Sequence, residues 1–149
     1  MMDLAGLRVL VVEDEFLVGL GLEGELRTLG CDVVGPVASL SAAVDAALGE
    51  GLDVALLDVS LQGESVFPAA AVLAARDVPF VFCSAFTGSE PVPRAFADRP
   101  RVSKPFTGTM IAAALADVLA GARQDDGATG LAPRRSGGGP STGTVFNRS

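Results

Sequence analysis

Five short apolar runs separated by longer segments of helical period predict an α/β protein built on a parallel sheet. The runs place strands near residues 8–13, 32–35, 53–58, 79–84 and 101–103. A second observation agrees with the first: Glu13-Asp14-Glu15, Asp58, Ser84 and Lys104 all fall at or just after strand ends. In an open parallel sheet, loops and helix N-termini converge outside the carboxyl ends of the strands, and ligands bind there.

The elements follow in order. Val9-Leu10-Val11-Val12 forms the first strand, and helix one is expected from about Glu15 to Leu29, with Val18, Leu22, Leu26 and Leu29 on one face and Gly30 as its stop. The glycines Gly19, Gly21 and Gly24 weaken it by roughly 1 kcal/mol each relative to alanine, so packing must hold it. Strand two is short, because Gly35-Pro36 interrupts it. Ser39 or Ser41 can cap an alanine-rich second helix that reaches about Leu48. Val54-Ala55-Leu56-Leu57 is the third strand and ends in Asp58.

Pro68 suits the first turn of helix three, which ends near Arg76. After strand four, Thr87 to Pro93 contains two prolines, so the fourth helix is expected to be shortened or irregular, a loop with one turn near Arg94 to Ala97. Strand five, Arg101-Val102-Ser103, is polar enough for a sheet edge. Thr107 can cap helix five, whose Ile111, Leu115, Val118 and Leu119 form a core-facing stripe. Residues 1–122 read as one domain, and the Gly-, Pro- and Ser-rich stretch 123–149 reads as a disordered tail.

Charge and composition exclude several classes of function. Residues 1–122 carry 16 acids against 7 bases, net −9, and residues 123–149 carry 2 against 4, net +2. A surface for nucleic acid needs clustered lysine and arginine, which the domain lacks. Histidine is absent, which rules out a Ser-His-Asp triad, a histidine zinc site and a phosphohistidine carrier. Cys31 and Cys83 read as two buried thiols instead of a disulfide. With no apolar run long enough for a bilayer and no signal peptide, the expectation is a cytoplasmic protein without membrane insertion.

Lys104 is the only lysine in the chain. An ammonium is a compact point charge suited to one oxyanion, whereas arginine offers a planar fork. If the sheet brings strands one, three and four together, Glu13, Asp14 and Asp58 meet, and their mutual repulsion calls for a cation. Carboxylates, a carbonyl and waters around a hard divalent ion fit Mg²⁺. With Ser84 and Lys104 added, the set reads as a phosphoryl acceptor: Asp58 attacks phosphorus, Mg²⁺ offsets charge, and Ser84 and Lys104 hold oxygens. Taken singly, each residue has an ordinary structural explanation as a turn former, helix-end charge, core residue or solvated lysine. It is their joint occurrence at one sheet edge that carries the chemistry.

Acids after strand one, Asp58 after strand three, Ser84-Ala85 after strand four and Lys104-Pro105-Phe106 after strand five resemble the receiver domain of two-component response regulators over about residues 7–120. The resemblance implies a flavodoxin-like (βα)5 fold with sheet order 2-1-3-4-5. It implies Asp58 as phosphoacceptor, Asp14 as direct Mg²⁺ ligand, Glu13 acting through water, and the Ser60 backbone carbonyl as a further ligand. Ser84 and Lys104 would bind the phosphoryl group, and Ala85 is a position kept small for the donor.

Where most receivers carry a strand-five aromatic three residues before the lysine, this chain has Arg101. Phe82-Cys83-Ser84-Ala85-Phe86, the proline-interrupted segment after it and Gly63-Glu64-Ser65 are similar to a subgroup of stand-alone receivers nicknamed FAT GUY. Ser84, Phe86 and Arg101 are therefore the candidate switch residues.

The implied function is a single-domain response regulator, with no output domain after helix five. It accepts a phosphoryl group from a sensor histidine kinase or a histidine phosphotransfer protein and signals through a downstream protein partner, as a phosphorelay intermediate, or as a sink. Such a protein catalyses its own phosphorylation and dephosphorylation without being an enzyme with ordinary turnover. The alternatives are a pseudo-receiver acting as a constitutive binding module and an aspartyl-phosphate hydrolase, which would need an acid where Ser60 stands. A nucleotide-binding Rossmann module is disfavoured because strand one leads into acids, not a glycine turn.

Overall fold

A computed structural model describes residues 3–49, 51–84 and 92–129, with side chains as far as Gly121. Two compact units are distinguished, Met1–Val118 and Leu119–Ser149.

The strands of the main sheet are β1 (Arg8–Val12), β2 (Asp32–Val37), β3 (Val54–Asp58), β6 (Phe80–Ser84) and β7 (Arg101–Ser103), with the two-residue strands β4 (Ser60–Leu61) and β5 (Glu64–Ser65) forming a separate hairpin. All neighbours in the main sheet are parallel, in the order β2-β1-β3-β6-β7. With the hairpin left out of the count, this is the expected order 2-1-3-4-5. The three central strands β1, β3 and β6 are almost wholly buried, as continuous apolar runs covered on both faces should be.

Side chains alternate between the faces. Leu10 and Val12 of β1, Ala55 and Leu57 of β3, and Phe80 and Phe82 of β6 point into a cluster with Ala43 and Ala47 of α2 (Leu40–Gly49) and Ala69, Ala70 and Leu73 of α3 (Phe67–Ala75). Val9, Val11, Leu56 and Val81 are the alternate residues and are equally inaccessible. Leu22 and Leu26 of α1 (Phe16–Thr28) and Ile111 and Leu115 of α4 (Gly108–Thr129) are buried as the helical stripes predicted.

Most termini follow the signals in the sequence. Ser39 Oγ accepts from the Ala42 N–H (3.2 Å) and Thr107 Oγ1 from the Met110 N–H (3.2 Å), satisfying donors that the helix leaves open. Pro68 occupies the first turn of α3. Two features differ from expectation. Strand β2 continues through Gly35-Pro36 to Val37, with a register shift against β1 between Leu10 and Val12. An edge strand tolerates the missing proline donor, and Gly35 fits because its φ of +100° brings any added Cβ within 2.7 Å of the Val11 carbonyl. The hairpin β4–β5 went unread; its turn residues Gln62 (φ 52°) and Gly63 (φ 86°) both take the left-handed backbone that a tight two-residue loop requires. Helix α4 spans Gly108–Thr129.

In place of a full fourth helix the described residues hold one 3₁₀ turn, Arg94–Phe96. Phe96 is buried from this turn against Phe80 (centroids 5.6 Å), Phe82 (6.2 Å) and Phe67 (6.3 Å), and Arg99 lies 4.4 Å over the Phe80 ring. Edge-to-face aromatic packing thus covers the sheet where helical surface is short. Phe96→Ala should destabilise the protein by about 3 kcal/mol, the usual cost of emptying a buried phenylalanine site; urea unfolding measures it, and a loss below about 1 kcal/mol would show that the turn does not anchor this face.

Candidate phosphoryl and metal site

The carboxyl ends of β1, β3, β6 and β7 bring the predicted residues to one edge. Register explains the convergence: Val12 pairs with Leu57, Asp58 with Cys83, and Ser84 with Ser103. Strand β1 releases Glu13 and Asp14 just where β3 presents Asp58. The Glu13 N–H donates to the Val37 carbonyl (2.9 Å), which fixes the start of the acidic loop on the end of β2. The Lys104 N–H donates to the Ser84 carbonyl (2.8 Å), which carries the lysine over the site, and the Lys104–Pro105 peptide is cis.

Lys104 Nζ donates to Glu13 Oε2 (3.3 Å), Glu15 Oε1 (3.1 Å) and Asp58 Oδ2 (3.4 Å), so its three protons are shared among three carboxylates. Glu13 Oε1 also lies 3.0 Å from Nζ, as an ion-pair contact that is not a hydrogen bond. It gains charge pairing without a hydrogen bond and is a buried acceptor left unsatisfied. Glu13 and Asp58 are 2% and 7% exposed, and carboxylate oxygens of Glu13, Asp14 and Asp58 lie within 4.8 Å of one another. Such a trio, with one orphaned oxygen, matches the donor set of a hard divalent cation, and Mg²⁺ fits it. Asp14 Oδ2 accepts from the Gln62 N–H (2.8 Å), so the hairpin turn orients this carboxylate. Ser60 opens that hairpin as a partner of Ser65.

The electrostatics follow from burial and like charge. Burial raises the Asp58 carboxyl first, a hydrogen bond with Glu13 and its charge raise it further, and Lys104 offsets only part, leaving it at about 7. Burial alone would pull the Lys104 ammonium down, but the Glu13 hydrogen bond and the charges of Asp58 and Glu13 prevail and hold it above its ordinary value. Burial, then the charges of Glu13 and Asp58, push the Cys83 thiol up to about 12, so it stays protonated beside the site. Cys31 is raised by burial and by Asp32, and its thiol donates to the Leu4 carbonyl (3.4 Å). Both cysteines are free and buried, as expected.

Ser84, 1% exposed, lies at the same edge, and its Oγ accepts from Arg101 Nη2 (3.3 Å). Sequence reasoning named both residues but not this bond; an arginine one strand over and on the matching face was the available signal. Glu15, which shares Lys104, had been read only as part of the acidic run. Ala85 and Phe86, the proposed small position and candidate switch, lie outside the described residues.

A raised Asp58 makes stability depend on pH. Between its unfolded value of 3.8 and about 7 the folded state retains a proton that the unfolded state has released, so without metal stability falls as pH rises through this window. Asp58→Asn should therefore stabilise the metal-free protein at pH 8 by about 1–3 kcal/mol and leave it nearly unchanged at pH 4. Thermal and urea unfolding in chelator test this; equal stability of the two proteins at pH 8 would contradict the raised Asp58 carboxyl.

No family model matches the sequence, and no curated protein matches it. Solved structures do. The chain is similar to SdrG from Sphingomonas melonis Fr1, at 43% identity over 80% of this chain and 99% of that one, with a TM-score of 0.68. It is similar to the receiver domain of the sensor histidine kinase PA1611 from Pseudomonas aeruginosa PAO1, which has a magnesium ion coordinated in its active-site cleft, at 26% identity over 78% and 99% of the two chains, TM-score 0.68. It is also similar to the response regulator PhyR from Brucella abortus, at 25% identity and TM-score 0.69, covering 85% of this chain but 53% of PhyR.

Proposed function

We propose, from the premise that this chain belongs to the receiver domains of two-component response regulators, that it is a regulator accepting a phosphoryl group on Asp58. The observation that supports this most is the junction of Asp58, two further acids and the lone lysine within hydrogen-bonding or ligand distance. The donor is the phosphohistidine of a sensor kinase or a histidine phosphotransfer protein, and the compartment is the cytoplasm.

In the transfer, an Asp58 carboxylate oxygen forms a bond to phosphorus as the phosphorus–nitrogen bond of the donor breaks, and the imidazole nitrogen keeps the electron pair and takes up a proton. Asp58 is already ionised above pH 7, so no general base is required. Lys104 is positioned to follow the charge, exchanging a carboxylate partner for a phosphoryl oxygen, and the Ser84 hydroxyl can donate to another. Glu13, Asp14, Asp58 and the Ser60 carbonyl would hold Mg²⁺, which supplies charge neutralisation when bound.

Phosphorylation of the ionised Asp58 replaces one negative charge by two and adds three acceptor oxygens at this edge, enough to bias two arrangements of the surface beyond β6 and β7. The result is passed on by protein–protein contact or by onward transfer. Immediately after the acids, α1 exposes Phe16 and Leu17 (77% each) and Leu20 (50%), an apolar patch suited to docking the donor protein.

Acetyl phosphate with Mg²⁺ should add one phosphoryl mass to the wild type and none to Asp58→Asn, and EDTA should abolish the addition. Labelling that survives in Asp58→Asn would overturn the site, and no labelling of the wild type would favour a constitutive binding module. Replacing Phe16 and Leu17 by alanine should slow transfer from a phosphorylated histidine protein by about tenfold, the scale of one lost apolar contact, while acetyl phosphate labelling persists. Equal slowing with both donors would place the defect in the site instead of the docking face.

A further inference from the structure

Arg101 opens the edge strand β7 and pairs in register with Phe82, two residues before the Ser84–Ser103 pair. By the alternation of strands, Phe82, Ser84, Arg101 and Ser103 belong to one face of the sheet, and the observed bond from Arg101 Nη2 to Ser84 Oγ runs along that face. A hydroxyl has one proton to give and two acceptor positions, whereas a guanidinium only donates. Arg101 therefore occupies an acceptor position of Oγ and leaves the Ser84 proton to be given elsewhere. The next strand over is β3, where Asp58 stands opposite Cys83, the residue before Ser84. Ser84 thus ends β6 one residue beyond the level of Asp58 on the neighbouring strand, with Arg101 bonded to its hydroxyl from the start of β7 on the other side.

We propose that Arg101 is a positioning residue of the phosphoryl site: it orients the Ser84 hydroxyl as a donor to a phosphoryl oxygen on Asp58 and strengthens that donation by its charge. The inference rests on the phosphoacceptor reading above. A hydroxyl whose oxygen already accepts from a cation is polarised into a better donor, and the gain is largest where water is excluded, as around Ser84. Without a phosphoryl group the 3.3 Å bond is at the long end of the range, so it holds the hydroxyl in place at little cost to its mobility. With a dianionic group present, the donor chain from Arg101 through Ser84 gains a strong terminal acceptor. Lysine cannot fully replace arginine here, because a single ammonium lacks the planar fork that keeps one donor on Oγ while the others engage elsewhere.

The chain has neither tryptophan nor tyrosine, so ¹⁹F resonances of bound beryllofluoride, a stand-in for the phosphoryl group, are the practical reporter. Affinity would be measured at saturating Mg²⁺ for the wild type, Arg101→Gln, Ser84→Ala, the double variant and Arg101→Lys. Arg101→Gln should weaken binding by about 5- to 10-fold, Arg101→Lys by less, and adding Arg101→Gln to Ser84→Ala should change affinity by under about 2-fold, the signature of a coupled pair. Binding by Arg101→Gln equal to the wild type would overturn the proposal, as would the same loss with and without Ser84, which would mark a bulk charge effect. A wild type that binds no beryllofluoride would remove the phosphoacceptor reading itself, and this inference with it.

Discussion

Four carboxylates and one ammonium share a single edge of the sheet, and this imbalance governs the rest of the site. Glu13, Glu15 and Asp58 compete for the three protons of Lys104, Asp14 relies on a backbone N–H of the hairpin, and one oxygen of Glu13 is left without a hydrogen bond. Burying Asp58, and placing it beside Glu13 without a metal, costs free energy, which appears as the upward displacement of its carboxyl. Stability from the apolar core must offset that cost, and the almost wholly buried β1, β3 and β6 are central to it.

The fold carries out one task for this chemistry, the alignment of strand ends. Because the central strands are parallel and in close register, residues separated by tens of positions in the chain arrive at the same level. Two departures from regular geometry near the site both serve it. The irregular end of β2 brings the Val37 carbonyl under Glu13, and the β4–β5 turn brings the Gln62 N–H to Asp14.

Much of this was legible in the sequence because the relevant signals are local. Apolar runs ending in acids, cap residues Ser39 and Thr107, and Pro68 each specify an element by short-range stereochemistry, and the solitary Lys104 pointed to the cluster of acids. The parts that were not legible depend on partners distant in the chain. Gly35-Pro36 looks like a strand break until the edge position of β2 makes it a bulge. Gln62-Gly63 is a weak turn signal, since glutamine seldom takes the left-handed backbone that this turn imposes. Arg101 stood out as the residue where a strand-five aromatic was expected, but its bond to Ser84 exists only once β6 and β7 are paired. The aromatic packing of Phe96 on Phe80 and Phe82 likewise depends on the sheet beneath it.

The central claim is that these side chains form a single cage for a metal-bound phosphoryl group on Asp58. A crystal structure with Mn²⁺ in place of Mg²⁺ and with beryllofluoride tests it most directly, because the anomalous signal locates the metal independently of any assumed ligand. The account predicts one manganese peak ligated at the Glu13, Asp14 and Asp58 edge, beryllium on an Asp58 oxygen, and a fluoride within hydrogen-bond distance of Lys104 Nζ. Manganese at another face of the protein, or beryllium on Glu13 or Asp14 instead of Asp58, would contradict it.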